Sequence, residues 1–245
     1  RDMAFVALAA GLVVCAWLDI NFLSREWYRG TTRGIEFSFV DVLSLGLLIS
    51  LGWTRCARPY WPASLGLILL FLGYAAGSVA GATPNIFGIF ELSNLARAAI
   101  VFLVGAWYVR GERELKLLLW VLIALVLGES ALALGQRYIA GEYRVGGTLG
   151  HPNSLSMYLL LIGPILVAAL NSEVSLRMRL AAGLGIAAAT VAMVLTASRM
   201  GVPAFALVMM GTTLACMDWK LTRRKVITGL AILLALAGIL AKSWD

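Results

Sequence analysis

Nine stretches of this chain are long, apolar and nearly free of charge: Met3–Ile20, Phe37–Gly52, Trp61–Ala80, Leu92–Val109, Leu115–Gly135, Ser154–Leu170, Leu180–Ala197, Val202–Met217 and Val226–Ala241. A helix needs about 20 apolar residues to cross a bilayer, and nine such runs leave room for little else. The runs are continuous rather than alternating, which is the pattern of helices that satisfy their own backbone groups in lipid. Composition points the same way. Apolar residues make up 61% of the chain and charged residues 13%, against roughly 45–50% and 25% in soluble domains. A water-soluble globule, a disordered chain and a disulfide-framed scaffold are all excluded. The expected fold is all-α: a polytopic membrane helix bundle of about nine transmembrane helices, forming a single transmembrane domain over residues 1–245. Cys15, Cys56 and Cys216 lack paired spacing, so neither disulfides nor a metal site is expected.

The connections set the expected orientation. Arg1, Arg55, Arg58, Arg110, Arg113, Lys116, Arg177, Arg179, Lys220, Arg223, Arg224 and Lys225 fall on one side. Arg25, Arg29, Arg33, Arg137, Arg144, Arg199 and Lys242 fall on the other. Short basic loops stay in the cytoplasm, which places the N-terminus inside and Asp245 outside. The same bias accounts for much of the net charge of +7 without a nucleic-acid partner. Outer connections are longer and richer in Gly, Tyr, Asn and Thr, notably Gln136–Asn153. Function is therefore expected on the outer face.

Charges inside spans are costly, about 2.5–3.5 kcal/mol each at the membrane centre on insertion scales. Here they are Asp19, Asp41, Arg97, Glu129 and Arg199, all in the outer third or at the outer end of their runs. Two readings stand: they converge on a polar cavity open to the outside, or they snorkel singly to the interface. Glu129 has the further alternative of a structural ion pair with Arg97 or another arginine.

Two segments concentrate polar chemistry. Arg137–Asn153 reads RYIAGEYRVGGTLGHPN; its glycines allow backbone close to a ligand, and Asn153 and Ser154 sit where a helix N-cap belongs. His151 is the only imidazole in the chain and is either a base or a structural hydrogen-bonding group. In Thr196-Ala197-Ser198-Arg199-Met200-Gly201, an arginine suits bidentate gripping of a phosphate or pyrophosphate. Alternatively it simply ends a helix, favoured by the macrodipole.

Together these segments resemble the O-antigen ligase and O-antigen polymerase family. Gly147-Thr148-Leu149-Gly150-His151-Pro152-Asn153 runs into an apolar span, and Thr196-Ala197-Ser198-Arg199 follows about two spans later. The stretch Tyr28-Arg29-Gly30-Thr31-Thr32-Arg33-Gly34 leading to Asp41 is similar to the early part of bacterial members. The resemblance implies a bacterial inner-membrane glycosyltransferase working on the periplasmic face. Such proteins move a glycan from an undecaprenyl-pyrophosphate carrier to a hydroxyl on another glycan, lipid A core or a protein, with no metal or other cofactor. Members usually carry a large periplasmic loop with essential arginine and histidine after a span corresponding to the ninth here. The chain starts at Arg1 and stops at Asp245, so it is expected to be the N-terminal part of a longer protein.

On this reading Arg199, Arg97, Arg144 and Arg137 bind the substrate's pyrophosphate, with Asn153 and Ser198 shaping the site. His151, Glu129 and Asp41 are the candidates to orient or deprotonate the acceptor, unless the base lies beyond Asp245. The alternatives are a transporter or flippase of a lipid-linked glycan, and a non-catalytic membrane scaffold. A transporter wants polar residues in the inner halves of its spans as well, and those halves hold none.

Overall fold

The computed structural model describes residues 1–14, 19–22, 34–53 and 62–216. Among them are eight α-helices: α1 (Asp2–Val14), α2 (Phe39–Trp53), α3 (Ala63–Ala80), α4 (Ile86–Tyr108), α5 (Glu112–Tyr138), α6 (Pro152–Asn171), α7 (Leu176–Leu195) and α8 (Gly201–Cys216). The helices α3 to α7 are each long and apolar enough to cross a membrane, whereas α1, α2 and α8 are apolar but shorter. Large side chains such as Leu67, Leu70, Leu161 and Leu180 stand exposed on them, as expected of helices whose outer surface meets lipid. The ninth expected span, Val226–Ala241, and the Tyr28–Arg33 part of the early motif lie outside the described residues.

The boundaries differ from expectation in two instructive places. The first apolar run was expected to stay helical to Ile20. Instead Asp19 and Ile20 lie in β1 (Asp19–Phe22), which forms a two-stranded antiparallel ribbon with β2 (Ile35–Ser38). Asp-Ile-Asn-Phe and Ile-Glu-Phe-Ser both alternate polar and apolar, the period of a strand. The register sets Asp19 opposite Ser38 and Ile20 opposite Phe37, so like faces like. The second difference is α4, which begins at Ile86 rather than Leu92 because Ile-Phe-Gly-Ile-Phe after Pro84-Asn85 is already a helical turn. Glu91 thus lies on a helix and not in an outer loop.

The chain divides into two compact units, Arg1–Leu118 and Leu119–Asp245. In the first, α2 packs on α1 and α4, and α3 packs on α4. Its core is Phe5, Leu8, Leu47, Leu51, Val104 and Tyr108, with the Phe5 and Tyr108 rings stacked at 4.0 Å. In the second, α6 packs against both α7 and α8. Leu155, Leu159 and Leu166 are fully buried along α6, and Gly163 lets α8 approach so closely that a Cβ there would meet Met209 Sδ and Phe205 Cε2 at 2.8 Å.

Candidate functional site

In the second unit, the start of α6 and the α7–α8 turn enclose a cleft of about 630 Å³, within the size range of small-molecule sites. Its building begins at the end of α7. Thr196 caps the helix, its hydroxyl donating to Met193 O at 2.7 Å. Ala197 then adopts a left-handed conformation, φ +47°, which reverses the chain within a few residues at a cost in strain. Ser198 opens α8: its Oγ accepts from Gly201 N at 3.2 Å, and its carbonyl accepts the first helical bond from Val202 N. Arg199, Met200 and Gly201 line the cleft, so the first turn of α8 presents its positive dipole end there.

Opposite stands Arg144, on the irregular segment between α5 and α6. Its Nε donates to Thr196 O and its Nη2 to Asn153 Oδ1, both at 3.3 Å. Those bonds use two of the five guanidinium donors. Arg199 is exposed and has no hydrogen-bond or ion-pair partner among the described residues. Arg144, Asn153, Ser198 and Arg199 line the cleft near the starts of α6 and α8; Met157, Leu160 and Ala204 line it further along those helices. No acidic residue lines it among the described residues. The result is an amphipathic cleft with two guanidinium groups at its polar end.

The other expected site residues lie elsewhere. Asp41 and Arg97 belong to the first unit and pair with each other, Nε to Oδ1 at 2.8 Å. The other Asp41 oxygen accepts from Ser38 N at 2.7 Å and Ser38 Oγ at 3.0 Å, as in a capping box. Arg97 also donates to Ser38 Oγ and Asn94 Oδ1. Glu129 belongs to the second unit. Glu129 is buried and accepts from Thr148 N at 3.0 Å and from the Thr148 hydroxyl.

Arg137 ends α5, donating to the carbonyls of Glu142 and Tyr143 and lying 5.4 Å over the Tyr143 ring. His151, rather than Asn153 or Ser154, is the N-cap of α6: its Nδ1 accepts from Asn153 N at 3.2 Å, with Pro152 in the first turn. That bond engages Nδ1 with the backbone of its own helix. Neither His151, Glu129 nor Asp41 lines the cleft. Asp19 lies in β1. No group of three His, Cys, Asp or Glu able to hold a metal occurs among the described residues.

Sequence reasoning missed the apolar wall and Gln136. The first carries no signal in a chain where most residues are apolar. The second did: Gln136 follows Glu129 by seven positions, two turns along one face of α5.

These features define an integral helical protein with membrane-crossing helices and a cationic, amphipathic cleft. No protein-family model, no curated protein and no solved structure matches the chain.

Proposed function

We propose that the protein is an integral-membrane glycosyltransferase of the O-antigen ligase or polysaccharide polymerase type. In this reading it moves a glycan from an undecaprenyl-pyrophosphate carrier to an acceptor hydroxyl on another glycan, lipid A core or a protein, at the periplasmic face of a bacterial inner membrane. The observation that carries the reading is the cleft, whose two ends match the two halves of such a donor. Arg144, Arg199 and the start of α8 suit a pyrophosphate, while Met157, Leu160 and Ala204 suit the isoprenoid chain. The excess of basic residues in alternate connections supports placing this cleft on the outer side.

The chemistry follows from charge. The acceptor oxygen forms a bond to the anomeric carbon as the bond from that carbon to the pyrophosphate breaks. The hydroxyl proton leaves to a base, and the electron pair stays on the departing pyrophosphate. Two guanidinium groups aimed at those oxygens stabilise the charge where it develops. Arg199 has its donors uncommitted within the described residues, which makes it the principal group.

The test is Arg199→Ala and Arg199→Lys in the full chain, assayed for transfer from a lipid-linked glycan donor. Losing one such donor group is expected to lower kcat by about 10²–10³. Lysine restores part of that, since it supplies charge without the bidentate fork. Near-normal turnover by the alanine variant at equal expression removes Arg199 from the mechanism. Wild-type protein that moves the intact donor across a bilayer without cleaving it establishes a transporter instead.

A further inference from the structure

Arg144 reaches the cleft from a segment, residues 139–146, with no regular structure of its own. Its contacts on the cleft side are long: Val145 N to Leu195 O, Arg144 Nε to Thr196 O and Arg144 Nη2 to Asn153 Oδ1 are each 3.3 Å. Bonds at that length are at the weak end of the normal range. Tighter attachments lie at its two ends: Glu142 N to Gln136 O at 2.9 Å with Arg137 on the Glu142 and Tyr143 carbonyls at one, and the single 3-10 turn Gly147–Leu149 at the other.

There α5 grips two successive residues from one face. The Gln136 carboxamide makes a reciprocal pair with Gly147, taking Gly147 N at 2.8 Å on Oε1 and giving Nε2 to Gly147 O at 3.2 Å. Two turns earlier on the helix, Glu129 takes both the amide and the hydroxyl of Thr148. Gly147 has φ +59°, and a Cβ there would collide with Glu129 Oε2. The grip thus requires a glycine at 147 and a hydroxyl at 148. Glu129 itself is 3% exposed, and the donors that reach it, the Thr148 amide and hydroxyl, are neutral.

We infer that Glu129 and Gln136 are positioning residues for Arg144. They clamp the Gly147–Thr148 turn to α5, and the clamp sets where the guanidinium stands in the cleft. Glu129 acts as a double acceptor and not as a proton carrier. That the clamp then matters for a pyrophosphate rests on the function proposed above.

The experiment measures how fast phenylglyoxal modifies Arg144 in the full chain, read residue by residue by mass spectrometry, with and without farnesyl pyrophosphate. Arg179, which donates to Leu170 O at the far end of α6, reports whether the packing survives. Glu129→Ala and Thr148→Val are expected to raise the Arg144 rate severalfold with the Arg179 rate unchanged. The same variants need about tenfold more farnesyl pyrophosphate to protect Arg144, roughly 1.4 kcal/mol.

Glu129→Gln keeps both bonds, because its carbonyl accepts the amide and its NH₂ donates to the hydroxyl; it should match wild type within twofold. An unchanged Arg144 rate in Glu129→Ala and Thr148→Val overturns the inference. So does a Glu129→Gln variant as perturbed as Glu129→Ala, because that outcome makes the charge or the proton essential. If farnesyl pyrophosphate fails to protect Arg144 even in wild type, the functional reading falls, while the rates without ligand still decide the clamp.

Discussion

Removing the Asp41 carboxylate should unsettle the first unit more than removing its partner, and removing both should be milder than removing Asp41 alone. The side chains of Asp41 and Arg97 are 10% and 25% exposed, so solvent screens the pair little. Asp41→Ala deletes the 2.8 Å contact to Arg97 and both bonds from Ser38. Stripping one partner from a buried pair costs about 3–5 kcal/mol, and the two lost bonds from Ser38 fall within that range. Arg97→Ala leaves Asp41 with its two Ser38 donors, so its cost should be smaller, about 2 kcal/mol. The double variant abolishes the guanidinium that has lost its carboxylate and retains chiefly the loss of the cap, at about 1–2 kcal/mol. Equilibrium unfolding in mixed micelles, followed by tryptophan fluorescence, gives the cycle directly. Additive single-variant effects, or a double variant less stable than Asp41→Ala, would refute the energetic coupling of Asp41 to Arg97.

Three further outcomes can be checked by the same unfolding measurement. Leu159→Ala on α6, where the side chain is fully buried, should cost about 2–5 kcal/mol; Leu161→Ala, 71% exposed on the same helix, should stay within about 0.5 kcal/mol. Gly201→Ala puts a Cβ onto Ser156 Oγ and within 2.8 Å of Ser198 Oγ. It should cost about 1–3 kcal/mol, with part recovered when Ser156→Ala is added, whereas a neutral Gly201→Ala argues that the start of α8 is free to shift. Ala197→Gly should stabilise by about 1 kcal/mol, since glycine bears no penalty at φ +47°; no gain means that the turn stores no strain.

The helices were legible because period and length are properties of sequence alone. Leu115–Gly135 and Ser154–Leu170 correspond to α5 and α6 with shifts of one to three residues at each end. The ribbon was hidden because four-residue alternations are too short to stand out beside runs of eighteen. Charged residues were correctly picked as unusual, but depth along a helix does not reveal who faces whom. Asp41 and Arg97 satisfy each other, and Glu129 finds a neighbour only nineteen residues away in Thr148. Arg144, Asn153, Ser198 and Arg199 were each proposed from local motifs, and these four do meet in one cleft. The role of His151 needed coordinates, since a side chain that caps its own helix reads in sequence like one that awaits a substrate.

The grip of α5 on the Gly147–Thr148 turn also fixes a depth. Glu129 and Gln136 lie nine and two residues before the end of the helix at Tyr138, so the turn rests about 8 Å inside that end at 1.5 Å per residue. The peptide groups of Gly147 and the amide of Thr148 take their bonds from two α5 side chains, where at an open protein surface water would supply them. The turn therefore leans on α5 itself, so that any tilt or rotation of that helix carries the turn with it.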